Sequence, residues 1–302
     1  MNREVLRLGD EVREALVAGT GAVALETSVI GQGLPFPHNQ ECARRMDDAI
    51  RAAGAVPAWV GVVDGSVIVG LSIEQLARFA DPDAGATKVA RRDYPVAVAS
   101  GALGATTVSA TIWAAVRAGI RVAATGGIGG VHPGPGPDVS ADLLELARTP
   151  ALLVCSGPKS IVDPLATAER LDELGVALVG YRVDRLPFFL SREAQVDLEH
   201  RVDSPDEAAA LGTALGELGV RSAVLLCNPV PMPMAMEVEE VQSAVDRAEA
   251  RAGDAGVRGA ARTPFLLAAL AEITGGRSLA TNLALLEDNA RVAGLVASVG
   301  TG

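Results

Sequence analysis

Short apolar runs alternate with amphipathic stretches almost from end to end of the chain. That rhythm predicts an α/β fold, a central mainly parallel sheet flanked by helices. The strand candidates are Ala22–Leu25, Val96–Ala99, Val122–Thr125, Leu152–Cys155, Ala177–Val179 and Ala223–Leu226. Between them, Asn39 is placed to cap a helix whose apolar face is Ala43, Met46, Ile50 and Ala53, with Gly54 ending it. Asp64-Gly65, between Trp59–Val63 and Ser66–Val69, is the dipeptide of a type I′ turn, so an added β-hairpin is expected there. Ser72 and Gln75 have capping-box spacing for the helix that follows.

Near the C-terminus, Thr263-Pro264 reads as N-cap and N1 of a helix that stops at Gly275-Gly276, and Ser278 opens another. Asn282 and Asn289 share one face of that last helix. The segment Tyr94–Val116 carries no formal charge and is long enough to span a bilayer. Gly101 and Gly104 break it into a strand-like and a helix-like half, so it is read as core. With no internal repeat or linker, residues 1–302 are expected to form a single domain.

Asp and Glu number 37 against 26 Lys and Arg, a net charge of −11, and Phe, Trp and Tyr are few. Neither a phosphate-backbone footprint nor a base-stacking platform is present, which argues against nucleic-acid binding. No membrane association is expected. Cys42, Cys155 and Cys227 are too scattered for a disulfide framework and lie in apolar stretches, as buried reduced thiols do. No secretory pattern opens the chain, so a cytoplasmic location is expected. The basic count is lopsided: only Lys88 and Lys159 are lysine, and the other cations are arginine.

In parallel α/β sheets the ligand site lies beyond the carboxyl ends of the strands. The residues leaving the strand candidates there are Glu26-Thr27-Ser28, Gly126 to His132, Ser156 to Ser160, and Cys227-Asn228-Pro229. A carboxylate, a glycine loop with a His, a Lys and an Asn form the inventory of an acid–base site for a small polar ligand. Gly126-Gly127-Ile128-Gly129-Gly130 matches neither a dinucleotide fingerprint nor a Walker loop, and close packing explains it as well as a ligand cradle does. Ser140 is placed to cap a helix holding Asp142. Asp138, as a lone carboxylate, would hold a divalent ion only with waters or substrate oxygens as co-ligands; it would serve equally to cap or bend the loop.

Arg cannot lose its proton and attack a carbonyl carbon, whereas a lysine amine can. Lys159 is therefore the candidate nucleophile, against the alternative of a phosphate-contacting or surface cation. Lys88, Arg91 and Arg92 form a local basic cluster suited to meeting a phosphate. Glu26, directly after an apolar strand, is the candidate general acid, or else an ion-pair or cap partner. His38 and His132 do not form a metal-spaced pair, and His200 lies in a charged, solvated stretch.

Several ordered segments resemble the pseudouridine-5′-phosphate glycosidase family, also called indigoidine-synthase-A-like. They are Ala24 to Ser28 with Gly33 to Pro37, Lys88 to Asp93, Gly104 to Val108, Thr125 to His132 and Val139 to Leu143, then Cys155 to Asp163, Asn228-Pro229, Thr263 to Leu267 and Thr274 to Leu279. The resemblance implies an α/β homotrimer that interconverts pseudouridine 5′-phosphate plus water with ribose 5-phosphate plus uracil, assisted by a divalent metal, commonly Mn²⁺. It implies Lys159 as the nucleophile that opens the ribose ring and holds the sugar as an imine, and Glu26 as the proton donor and acceptor near the base. Asp138 would be the metal ligand; Lys88, Val108 and Ser140-Ala141-Asp142 would contact substrate, and His132 and Asn282 would line the pocket. A carbon–carbon glycosidic bond has no leaving heteroatom to protonate, so the paired-carboxylate route of O-glycosidases does not transfer. The chain departs from the family pattern at Gln32, where many members carry His, in the shortened proline-rich loop between His132 and Asp138, and at Pro158. Two other readings share these residues: a different Schiff-base lyase acting on a sugar phosphate, and a non-catalytic sugar-phosphate-binding protein.

Overall fold

The computed structural model describes residues 5–134, 138–257, 259 and 262–300. Its strands in chain order are β1 Leu6–Leu8, β2 Ala22–Glu26, β3 Val56–Val63, β4 Ser66–Val69, β5 Thr87–Val89, β6 Gly104–Thr106, β7 Val122–Ala124, β8 Leu152–Cys155, β9 Ala177–Tyr181, β10 His200–Val202 and β11 Val224–Cys227. The helices are α1 Asp10–Ala18, α2 His38–Ala52, α3 Ile73–Ala80, α4 Tyr94–Ser100, α5 Val108–Arg117, α6 Ala141–Leu146, α7 Pro164–Glu173, α8 Pro205–Glu217, α9 Val238–Asp254, α10 Arg262–Ile273 and α11 Arg277–Val299. The sheet runs β1-β4-β3-β2-β7-β8-β11-β9-β10, with β6 on β3 and β5 on β6. Every pair is parallel except β3–β4, the expected hairpin, and β3–β6. Asp64 and Gly65 both take the positive φ that the hairpin turn requires.

The inner strands β3, β7, β8 and β11 read as unbroken apolar runs because both faces of the sheet are covered there, whereas β1, β5 and β10 carry Arg7, Lys88 and His200-Arg201. On β2, Val23 and Leu25 join one core with Met46 and Ile50 of α2 and Leu286, Ala290 and Ala293 of α11. Ala22 and Ala24 point the other way, onto Ala110, Ile112 and Ala114 of α5. The same alternation on β8 sends Leu152 and Val154 to the first core and Leu153 and Cys155 to the second. Among the described residues no helix is long and apolar enough to cross a membrane.

Four local expectations are corrected. Val96–Ala99 is not a strand but part of α4: Pro95 presets a helical φ, and the buried positions, Tyr94 and Ala97, are spaced three apart. The uncharged Tyr94–Val116 segment is therefore two helices, with β6 between them. Asn39 is no cap. It lies inside the first turn of α2, and its buried amide donates instead to Ile30 O and Ala80 O, fastening two neighbouring elements. At the C-terminus, α10 starts at Arg262, one residue before Thr263, and Pro264 is tolerated because first-turn N–H groups have no intrahelical acceptor. Gly276, at φ +86°, rather than Ser278, precedes α11, and the Ser278 N–H is satisfied by Thr274 Oγ1.

Candidate active site

The carboxyl ends of β2, β7 and β8 open onto a cavity of ≈ 290 Å³. Glu26, Lys88, His132, Asp138, Ser140, Ala141, Asp142, Lys159 and Asn282 all border it, so one wall system gathers nearly every expected site residue. Val108 is the exception. It begins α5 and is buried in the core, and the wall at that point is Thr107. Arg92 reaches the cavity, but Arg91 does not, contrary to the expected three-cation cluster. The Arg91 guanidinium is instead committed to buried Glu145 at 2.7 Å, an ion pair that offsets the cost of enclosing that carboxylate.

Glu26 ends β2 and is 5% exposed. Its two carboxylate oxygens are each taken by a hydroxyl: Ser28 Oγ donates to Oε2 at 2.6 Å, and Thr125 Oγ1, from the end of β7, donates to Oε1. The carboxyl group is thereby fixed at the cavity wall, with no cation paired to it among the described residues.

The glycine loop and the lysine loop extend the parallel pairing of β7 and β8 past the strand ends. Ser156 N donates to Gly126 O, Ile128 N to Gly157 O, and Lys159 N to Ile128 O. This ladder fixes the backbone that carries Lys159. Lys88, on β5, is half-buried; desolvation, and then the neighbouring Lys159 cation, hold its ammonium below the usual lysine range.

Gly126 to Gly130 take no positive φ. Their glycines serve close approach: a Cβ on Gly129 would lie 2.3 Å from Ser140 Oγ, and one on Gly130 2.3 Å from Thr167 Oγ1. Asp142 locks the same loop, accepting from Gly129 N and from Ser109 N, both at 3.1 Å. Its carboxylate is thus a brace between the glycine loop and the start of α5. Ser140 caps α6 by accepting from Asp142 N, as its position in the sequence suggested.

His132 donates its backbone N–H to Asp138 O at 2.9 Å, and among the described residues its buried Nδ1 has no hydrogen-bond partner. Burial lowers its pKa, against the opposing pull of the Asp138 carboxylate. The Asp138 side chain is half exposed and lies 3.5 Å from the Arg262 guanidinium, which also holds Glu249 at 2.8 Å. Among the described residues no group of three or more His, Cys, Asp and Glu side chains is placed to hold a metal. Asp138 is the half-exposed carboxylate on the cavity, and one carboxylate completed by water and substrate oxygens is a common way to hold a hydrated Mg²⁺-type ion on a phosphate substrate. The donor set fits that class of ion. Sequence reasoning missed the roles of Thr125, Thr107 and Arg262, named Ser28 only as a residue leaving β2, and found Asn289 only as a position on a helix face.

The three cysteines are free and buried, as expected. Residues 11–299 match the family of indigoidine synthase A-like proteins. The chain is 49% identical to the pseudouridine-5′-phosphate glycosidase of Herpetosiphon aurantiacus, over 97% of each chain. It is 43% identical to that of Escherichia coli, over 97% of this chain and 95% of the relative. Among solved structures it resembles an indigoidine synthase A-like protein of Thermotoga maritima, with a TM-score of 0.87 and 39% identity over 93% of each chain. A prealnumycin C-glycosynthase in complex with ribulose 5-phosphate matches with a TM-score of 0.88 and 38% identity, over 99% of this chain and 98% of that one. With the match spanning nearly the whole fold and every strand end that borders the cavity, the chain belongs to the indigoidine synthase A-like family.

Proposed function

We propose that this protein is a pseudouridine-5′-phosphate glycosidase, interconverting pseudouridine 5′-phosphate and water with ribose 5-phosphate and uracil. The observation that carries the reading is the placement of Glu26 and Lys159 on one cavity. Relatives bearing that name at 49% and 43% identity support it, as does a structural relative that binds a pentose phosphate.

The neutral Lys159 amine attacks C1′ and displaces the ring oxygen, which takes up the proton shed by the attacking nitrogen and leaves as the O4′ hydroxyl. Glu26 delivers a proton to the uracil carbon bonded to C1′. The C1′–C bond then breaks, its electron pair going to the protonated base, while the amine lone pair forms C1′=N. Water hydrolyses this protonated imine, giving the neutral amine and open-chain ribose 5-phosphate and returning the released proton to Glu26. Lys88 and the first turn of α6 meet the phosphate and hydroxyls, and Asn282 and His132 border the sugar and base. Asp138 would hold a divalent ion, Mn²⁺ in this reading, completed by water and substrate oxygens; the ion neutralises phosphate charge when bound. A cytoplasmic homotrimer completes the proposal, and free thiols suit that reducing compartment.

The test mixes the purified protein with ribose 5-phosphate, uracil and Mn²⁺ and follows formation of pseudouridine 5′-phosphate. Product is expected, and none in either direction refutes the reading. Borohydride added with ribose 5-phosphate should fix a pentose-phosphate adduct on Lys159, and unchanged labelling of Lys159→Ala would refute the nucleophile. Glu26→Ala should lose turnover while keeping sugar-phosphate binding.

A further inference from the structure

We propose that Asn289 is a positioning residue for this reaction: its buried carboxamide holds the ends of β7 and β8 together, and through them sets Glu26 against Lys159. The inference rests on the glycosidase reading for the roles of those two groups.

Asn289 lies on α11, two turns beyond Asn282, and is 0% exposed. It does not border the cavity; it lies behind the floor. Its Nδ2 donates to Thr125 O at 2.8 Å, to Gly126 O at 3.3 Å and to Ser156 Oγ at 3.0 Å. Its Oδ1 accepts from Asn228 Nδ2 at 2.9 Å, and Asn228, at the end of β11, also donates to Asp288 Oδ2 at 2.8 Å. One carboxamide thus uses both donor hydrogens and its acceptor on the exits of three adjacent parallel strands.

The place of these bonds matters. β7 ends at Ala124, so Thr125 O lies just past the strand end, where a buried carbonyl needs another donor. Asn289 supplies that donor from a helix. Thr125 in turn gives its side-chain hydroxyl to Glu26, so the carboxyl group is two hydrogen-bonded steps from Asn289. On the other side, Ser156 begins the Ser156-Gly157-Pro158-Lys159 turn, and its hydroxyl is held by the same amide. Acid and nucleophile therefore share one anchor. Lys88 and the start of α6, which face the phosphate, have no bond to it.

A group that merely stabilises the fold would lower the amount of folded protein and leave the kinetics of each folded molecule alone. A positioning group separates kcat from KM. In the full-length protein, with ribose 5-phosphate, uracil and Mn²⁺, Asn289→Ala should lower kcat on the order of 100-fold per folded molecule. KM for ribose 5-phosphate should stay within about threefold. Because Asn289 is held to act through Thr125, adding Thr125→Val to Asn289→Ala should cost much less than Thr125→Val costs alone. Asn289→Asp keeps the acceptor but not the donors and should match the alanine variant; it and Asn228→Ala carry the same test if Asn289→Ala does not fold. Unchanged kcat in a folded variant, a loss confined to KM, or fully additive effects with Thr125→Val would overturn the proposal. Wild-type protein in the same assay separates the two readings: wild type without product in either direction removes the glycosidase assignment, and this inference with it.

Discussion

Gly157 stands two residues before Lys159 and takes φ +75°, and a Cβ there would lie 1.9 Å from Pro187 O. Gly175 takes nearly the same φ, +69°, but a Cβ there would meet nothing within 4 Å. The pair separates backbone strain from collision. Alanine at either position costs about 1–2 kcal/mol for the left-handed conformation. Only at Gly157 must a carbonyl move, by about 1.4 Å to restore a carbon–oxygen contact near 3.3 Å. That carbonyl is not free to yield, because Phe189 N donates to Ser156 O at 2.7 Å and ties the two segments together. Overpacking of this kind adds about 1–3 kcal/mol. Gly157→Ala should therefore lose about 2–5 kcal/mol in urea unfolding, and Gly175→Ala only the first part. The folded fraction of Gly157→Ala should also give less borohydride-trapped adduct, since the turn that carries Lys159 is displaced. Equal destabilisation of the two variants, within about 0.5 kcal/mol, would refute the collision argument.

Lys88 should lose its proton below the usual lysine range, so kcat/KM for the sugar phosphate should fall at alkaline pH earlier than for an exposed lysine. Lys88→Arg, which keeps its charge, should move that limb upward; an unmoved limb would contradict the assignment. The sign for stability is opposite: the unfolded chain holds that proton more tightly, so Lys88's contribution improves as pH rises through the window below 10.5. Arg262→Ala frees the Asp138 carboxylate from a competing cation. It should tighten Mn²⁺ binding measured by titration calorimetry, and unchanged or weaker binding would show that the guanidinium does not compete. Arg91→Ala leaves buried Glu145 with the Thr149 hydroxyl as its remaining side-chain partner among the described residues. With Arg91 itself 40% exposed, the loss should be about 1–3 kcal/mol rather than the full cost of a buried pair. KM for ribose 5-phosphate should be unaffected, because Arg91 is not at the cavity; a large rise in KM would restore it to the phosphate site.

The parts of the site that could be read from the chain are those that depend on where a strand ends. Glu26, Gly126 to His132 and Lys159 follow apolar runs, and a parallel sheet places such residues on one rim. The two lysines of an arginine-rich chain both reach that rim, which composition could flag but not locate. What stayed hidden depends on partners far apart in sequence. Thr125 meets Glu26 across 99 residues, and Asn289 meets Thr125 across 164. No local pattern encodes such bonds, and the seven-residue spacing from Asn282 showed only that both asparagines face the same way. Arg91 failed for the same reason in reverse: its neighbours in sequence are basic, but its partner, Glu145, arrives from α6, 54 residues on. A cation's use is thus decided by the nearest buried carboxylate, and Lys88 and Lys159 remain available to substrate because the carboxylates around them are already engaged. Glu26 is held by two hydroxyls and Asp142 by two backbone amides. Neutral donors hold these carboxylates in place without using up either lysine, leaving one amine to bind an anion and the other to react.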